Sequence, residues 1–342
     1  MDSNGKEVWV TEDSDKAELL AGFYSRIFTV ETDEGPHVDF NSDTECGEIT
    51  LTLQMILDKL SKVNPNKSPG QDLLHPRIIY ETRQLIAYRL KLLFEKYLSK
   101  GQLPSEWKYS TIMAIYKKGA KSEAGNYRPI SLTSVICKIL ESIIRDHTME
   151  HLLRNKLLSN KQYGFVHGRS TMLQLLKMLD KWTEELESGG QIDVIYTDYE
   201  KAFDKVPHRR LINKVASFGL PSMITEWIKA FLSDRQYKVR INSKFSRWYS
   251  VQSGIPQGSV LGPLLFIMYI NDLPDNCTND IDLYLFADDA KICKYVRNGE
   301  DQAELQTNLN KLQNWSDTWL LKLNVQKCKV MSYSRHADTH IR

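Results

Sequence analysis

Asp288 and Asp289 stand side by side between two strand-like runs, Ile281 to Ala287 and Lys291 to Val296, which places the pair at the tip of a predicted β-hairpin. Adjacent carboxylates repel and raise one another's pKa. Two readings fit such a pair. Aspartate tolerates turn geometry and fills the tip, or a divalent cation sits between the two charges. A second site changes the weighing. Asp198 ends another β-branched run, Ile192 to Thr197, and is followed by Tyr199-Glu-Lys-Ala-Phe-Asp204. If that strand lies beside the hairpin, three carboxylates meet at one sheet edge. Few, hard oxygen ligands suit Mg²⁺, which keeps waters and shares phosphate oxygens with its substrate. Two such ions, roughly 3.5–4 Å apart, clamp an in-line attack on phosphorus. One lowers the pKa of a 3′-hydroxyl and the other neutralises charge on departing pyrophosphate.

The elements that must position these groups follow from periodicity. Helices are expected over Lys16 to Phe28, Leu51 to Leu60, Arg83 to Leu98, 132–144, Ser170 to Leu186, 208–218 and 222–232. The 170–186 helix presents Leu175, Leu176, Leu179 and Trp182 on one face. Thr111 to Tyr116 reads as a strand and Lys117 to Pro129 as a basic loop. Alternating Tyr237, Val239 and Ile241, a turn at 242–244, and Trp248 to Val251 read as a basic hairpin. The loop Ser253-Gly-Ile-Pro-Gln-Gly258 opens a buried helix that runs to about Ile270. Leu305, Leu309, Leu312, Trp315 and Trp319 mark a last helix, and Lys329 to Tyr333 a last strand. Helices first, then strands mixed with helices, give an α+β class with a small antiparallel sheet.

Charge is unevenly spread. Residues 1–48 hold thirteen Asp/Glu and three Lys/Arg, while the whole chain is +2. Ten Lys/Arg fall in 205–250, and Lys108, Lys117, Lys118, Lys121 and Arg128 form a second cluster. These stretches fit either a polyanion track or a solvated charged face. An apolar fraction of 42% supports a sizeable core and excludes global disorder. Five cysteines without a C-x-x-C pair disfavour a zinc ribbon or a disulfide framework. The polar, acidic first residues are not a signal peptide. The longest apolar run, Val260 to Ile270, is about half of a membrane span. A soluble intracellular protein is expected, in nucleus or cytoplasm, with no membrane partner.

Four segments carry a resemblance. They are Asn126-Tyr-Arg-Pro-Ile-Ser-Leu132, Tyr196-Thr-Asp-Tyr-Glu-Lys-Ala-Phe-Asp-Lys-Val-Pro-His208, Ser253-Gly-Ile-Pro-Gln-Gly-Ser-Val-Leu-Gly-Pro-Leu-Leu-Phe266 and Leu285-Phe-Ala-Asp-Asp-Ala290. In this order they closely resemble the reverse transcriptase of non-LTR (LINE-like) retrotransposons, the jockey and chicken-repeat groups in particular. The likeness runs from about residue 50 to the end.

The resemblance implies a right-hand polymerase with fingers and palm, two Mg²⁺ ions (Mn²⁺ as substitute), and an RNA template, a DNA primer and dNTPs as partners. It implies Asp198 and Asp288 as metal ligands and Asp289 as a third acidic position, less directly engaged. Phe203 takes the place of the steric gate against a 2′-hydroxyl, and so argues against an RNA-dependent RNA polymerase. Gln257 touches the incoming nucleotide, the flanking glycines Gly254 and Gly258 allow close backbone approach to it, Arg128 contacts its triphosphate, and Lys327 protonates pyrophosphate. Lys117, Lys118 and Lys121 face template or phosphate. The expected segments are an acidic connector at 1–48, mainly fingers at 49–189 and mainly palm at 190–342. The thumb is expected to be missing. A catalytically inactive, truncated remnant that only binds nucleic acid is the alternative.

Overall fold

Runs rich in β-branched and aromatic residues become strands, and stretches of helical period become helices, in the computed structural model, which describes residues 9–32, 35–38, 44–278 and 280–334. In chain order these are α1 (Asp13–Ser25), α2 (Leu53–Ser61), α3 (Pro76–Glu81), α4 (Arg83–Ser99), β1 (Tyr109–Tyr116), β2 (Tyr127–Leu132), α5 (Val135–Arg154), α6 (Thr171–Glu187), β3 (Gln191–Thr197), α7 (Ala202–Lys205), α8 (His208–Ser217), α9 (Ser222–Leu232), β4 (Gln236–Ile241), β5 (Lys244–Phe245), β6 (Tyr249–Ser250), α10 (Gly262–Tyr269), β7 (Asp282–Phe286), β8 (Asp289–Val296), α11 (Gly299–Thr318) and β9 (Lys329–Ser334). The α+β class expected from the sequence is the class observed.

Contacts divide the described residues into two units. The first takes the chain up to Val30, Glu45–Thr148 and Leu220–Gly262; the second takes Glu31–Thr44, Met149–Gly219 and the chain from Pro263. This division does not follow the chain-order segments 1–48, 49–189 and 190–342. The reason in the first unit is a parallel pairing of β4 with β1, from Tyr109↔Gln236 to Met113↔Arg240, which returns a late segment to an early sheet.

That sheet has the order β2-β1-β4-β5, with β6 also on β4. α1 covers one face. Its Ala17, Leu20, Ala21 and Tyr24 recur at helical spacing and pack on Ile112, Tyr237 and Val239. β2 corrects the reading of 117–129 as loop and of a helix from Leu132. Residues 127–132 pair antiparallel with β1 from Tyr116↔Tyr127 to Thr111↔Leu132, and α5 starts only at Val135. Pro129 hides the strand in sequence, but β2 is an edge strand, where a missing N–H is tolerated.

The second unit holds an antiparallel sheet of order β7-β8-β3-β9. β3 lies inside it, and Gln191 to Ile195 are all buried: Ile192, Val194 and Ile195 are apolar, while Gln191 Nε2 donates to the buried Asp193 carboxylate at 2.9 Å. Met178 of α6 packs on Ile192, Val194, Tyr284 and Cys293. α6 also corrects an expectation. Leu175, Leu176 and Leu179 are 39%, 56% and 56% exposed, while Gln174 and Met178 are buried. Two polar tethers set the helix's rotation: Gln174 Nε2 donates to the Leu285 carbonyl at 3.0 Å, and Lys181 Nζ to Asp282 at 2.7 Å. No helix among the described residues is long and apolar enough to cross a membrane.

Candidate active site

The second unit gathers the acidic candidates. Asp198 follows the last residue of β3, whose Thr197 sits opposite Ala290 of β8. β7 and β8 pair up to Phe286↔Asp289, so Ala287 and Asp288 form the tip and Asp289 already opens β8. The tip is thus one residue earlier than the sequence reading put it. Asp198 and the Asp288–Asp289 pair therefore stand at the same end of adjacent strands. Asp288 is half-buried and Asp289 exposed.

Ala287 has φ +54°, the conformation that primed hairpin turns require at their first tip residue and that glycine adopts without steric cost. For alanine it costs about 1–2 kcal/mol. The tip is braced from outside. Lys161 to Tyr163 run along β7 as a short bridge, with Leu285 N donating to the Lys161 carbonyl at 2.9 Å and Tyr163 N to the Leu285 carbonyl at 2.8 Å. Arg169 fixes this segment by donating to the carbonyls of Ser159 and Gln162, both at 2.6 Å.

The Asp198 carboxylate is one-third exposed and accepts from Lys327 Nζ at 3.1 and 3.4 Å. Backbone bonds bring Lys327 there. Asn324 N donates to the Asp198 carbonyl at 2.7 Å, and Lys327 N donates to the Asn324 carbonyl at 2.9 Å. Beside it, a hydrogen bond from Lys205 at 2.7 Å holds the Glu200 carboxyl below its ordinary range. Phe203 is half-buried, stacked on Phe266 of α10 at 4.4 Å and 20°, and edge-on to Phe165 at 6.3 Å.

Carboxylate oxygens at the ends of neighbouring strands are the hard donors that Mg²⁺ takes one or two at a time, completing its shell with water and substrate phosphate. This donor set fits such an ion. Among the described residues no group of three or more His, Cys, Asp or Glu side chains is close enough to hold a metal by itself.

The first unit holds the other candidates. Arg128 is exposed on β2, opposite Ile115. Lys117, Lys118 and Lys121 are exposed in the β1–β2 connection, which is cross-braced: Tyr116 Oη donates to Gly119 O at 2.6 Å, Asn126 Nδ2 to Ala120 O at 2.9 Å and Tyr127 Oη to Lys121 O at 2.8 Å. Two of the four motifs meet in this unit. Ser131 N donates to the Gln257 carbonyl at 2.7 Å, and Gly258, at φ +115°, lies so close that a Cβ would stand 2.8 Å from the Ser131 carbonyl.

Glu141 was missed from sequence. It is fully buried on α5 and accepts from the amides of Val260 at 2.7 Å and Leu261 at 3.1 Å, which fixes the end of the Gln257 loop. Burial pushes its carboxyl up, against the pull of these amides. A lone acid among apolar positions of a helix was the available signal. Gln162 was missed as well, and nothing in its spacing marks it.

The basic stretch 205–250 is corrected as a continuous polyanion track. Arg210, Lys214 and Arg235 are buried, and Arg235 Nη1 donates to the Phe231 carbonyl at 2.9 Å. Arg209 and Arg210 bond Glu31, and Arg247 bonds Glu18 at 2.8 Å.

A family model described as reverse transcriptase (RNA-dependent DNA polymerase) matches residues 115–339. The chain belongs to this family. It is 31% identical to the probable RNA-directed DNA polymerase from transposon BS of Drosophila melanogaster, over 81% of this chain and 31% of that protein. It is 28% identical to the RNA-directed DNA polymerase from mobile element jockey of the same organism, over 84% of this chain and 32% of the relative. The probable polymerase from its X-element is 28% identical over 98% of this chain and 38% of the relative. The chain thus spans about a third of the length of these curated relatives. The expected kinship with jockey-type retrotransposon reverse transcriptases is borne out.

Proposed function

We propose that this chain is the RNA-directed DNA polymerase of a non-LTR retrotransposon, adding dNTPs to a DNA primer 3′-hydroxyl on an RNA template. The observation that carries the reading is the antiparallel sheet in which the strand ending at Asp198 adjoins the Asp288–Asp289 hairpin, in a chain of the reverse transcriptase family. In this reading the unit with the β1–β2 hairpin acts as fingers and the unit with the β3–β8 pair as palm.

Asp198 and Asp288 hold the two metal ions, with Asp289 beside them. When bound, Mg²⁺ or Mn²⁺ activates the 3′-hydroxyl and offsets charge on leaving pyrophosphate. Lys327, whose Nζ lies 3.1 Å from the Asp198 carboxylate, takes the role of general acid toward pyrophosphate in this reading. Arg128 offers a guanidinium fork to the triphosphate. The backbone at Gln257 and Gly258 allows close approach of the nucleotide, and Phe203 meets its sugar at C2′. Lys117, Lys118 and Lys121 contact template phosphates.

Primer extension with Mg²⁺ on an RNA template tests the reading. Asp288→Asn is expected to lower extension by at least ~100-fold, since metal stabilisation is worth several kcal/mol, while salt-sensitive nucleic-acid binding persists. Equal extension by the variant overturns the ligand role. Binding without extension by the unaltered chain points to the second reading, a non-catalytic nucleic-acid binder.

A further inference from the structure

Gln162 lies outside the four motifs and is 1% exposed. Its carboxamide grips both sides of one residue. Oε1 accepts from the Ala287 amide at 3.0 Å, and Nε2 faces the Ala287 carbonyl at 3.4 Å. The same Oε1 accepts from Gly164 N at 2.7 Å. Gly164 is part of the grip. A Cβ there would stand 2.4 Å from Ala287 N, so only glycine lets this segment approach the tip.

A buried amide side chain that satisfies the N–H and C=O of a single residue does the work of a neighbouring strand at a place where the hairpin has none. The residue it holds is Ala287, whose positive φ sets the direction of the next residue, Asp288. Alanine does not favour that conformation unaided.

We infer that Gln162, with Gly164, is a positioning element for the catalytic carboxylate: it locks the left-handed Ala287 peptide and so aims Asp288. This rests on the polymerase reading for its consequence, but not for its geometry. Gln162 itself touches neither nucleotide nor metal, so its loss acts on turnover rather than on nucleotide binding.

The test uses the full chain and reads amide exchange beside primer extension. In Gln162→Ala, the amides of Ala287 and Gly164 are expected to exchange on the order of tenfold faster, while β3 amides facing β8 keep their protection. kcat falls on the order of 10- to 100-fold, as a misplaced reacting group requires, and KM for dNTP stays within about twofold. Adding Ala287→Gly to that variant restores most of kcat, because glycine takes positive φ without the clamp. A role confined to global stability would speed exchange at the β3 amides as well as at Ala287.

Unchanged exchange at Ala287 in Gln162→Ala overturns the inference. So does faster exchange with wild-type kcat, or a kcat loss that Ala287→Gly leaves unrepaired. If the unaltered chain extends no primer, the polymerase reading fails by itself, and amide exchange still decides whether Gln162 holds the turn.

Discussion

Phe203 has one ring face against Phe266 and an edge toward Phe165, so its position is set by packing rather than by a hydrogen bond. A gate needs such rigidity, since a ring free to rotate yields to a 2′-hydroxyl. Phe203→Val removes the stack and shortens the side chain. It is expected to raise ribonucleotide use relative to deoxynucleotide by at least ~10-fold, about 1.4 kcal/mol of discrimination. Loss of the stacked ring also costs about 1–3 kcal/mol of stability. Competing rNTP and dNTP incorporation measures the first, and urea unfolding the second. An unchanged ratio sinks the gate assignment. Phe203 was legible because it sits inside a motif. Glu141 and Gln162 were not, because their work is done on backbone groups distant in sequence, at Val260–Leu261 and Ala287.

At the scale of elements, strands and helices were largely legible, but faces were not always. Residues 170–186 form the expected helix, yet of the four side chains read on one face only Trp182 packs on the core; Leu175, Leu176 and Leu179 are exposed and Gln174 is buried. Hydrophobic periodicity counts apolar positions. It does not weigh the carbonyl of Leu285 or the carboxylate of Asp282, whose partners Gln174 and Lys181 turn the helix. The two faces give opposite predictions. Met178→Ala is expected to lower unfolding stability by about 2–3 kcal/mol. Leu176→Ala is expected to change it by no more than about 0.5 kcal/mol, as for a surface site. Chemical denaturation of both variants decides between this rotation and the leucine-inward one. β2 was lost to its proline and arginine. Only the sheet order shows that it is an edge, where Pro129 is harmless.

For the whole molecule, charges far apart in sequence cancel in space. The acidic early segment supplies Glu18 to Arg247 and Tyr249, and Glu31 to Arg209 and Arg210. Lys214 is the extreme case. It is 3% exposed, bonded to Tyr269 O at 2.6 Å and Asp272 at 2.5 Å, and lies 3.5 Å from the Trp319 ring centroid. Burial lowers its pKa to about 8, and Asp272 offsets only part of the penalty. Between about pH 8 and the ordinary lysine value near 10.4, the unfolded chain binds the extra proton and the folded chain does not. Stability from this group therefore rises with pH across that window, by up to about 3 kcal/mol. Below pH 8 both states are protonated and the slope vanishes. Burial also pushes the Cys137 and Cys293 thiols up, which lowers stability above about pH 9 in every variant. The Lys214 contribution is therefore read as a difference: from pH 7.5 to 10.5 the urea-unfolding stability of the unaltered protein minus that of Lys214→Met should rise. A falling or flat difference contradicts the buried-lysine account.

Sequence alone determined the family, the α+β class, most element boundaries and the four motifs from which the candidate site residues are proposed. Those depend on local propensity and on motifs, which are written in consecutive residues. Tertiary structure decided which basic residues are internal, which face of α6 is covered, and that β4 returns to β1 in parallel. It also decided that Gln162 holds the tip carrying Asp288. Each of these depends on burial and on hydrogen bonds to backbone groups tens to hundreds of residues away, and a backbone carbonyl or amide leaves no residue-type signature along the chain.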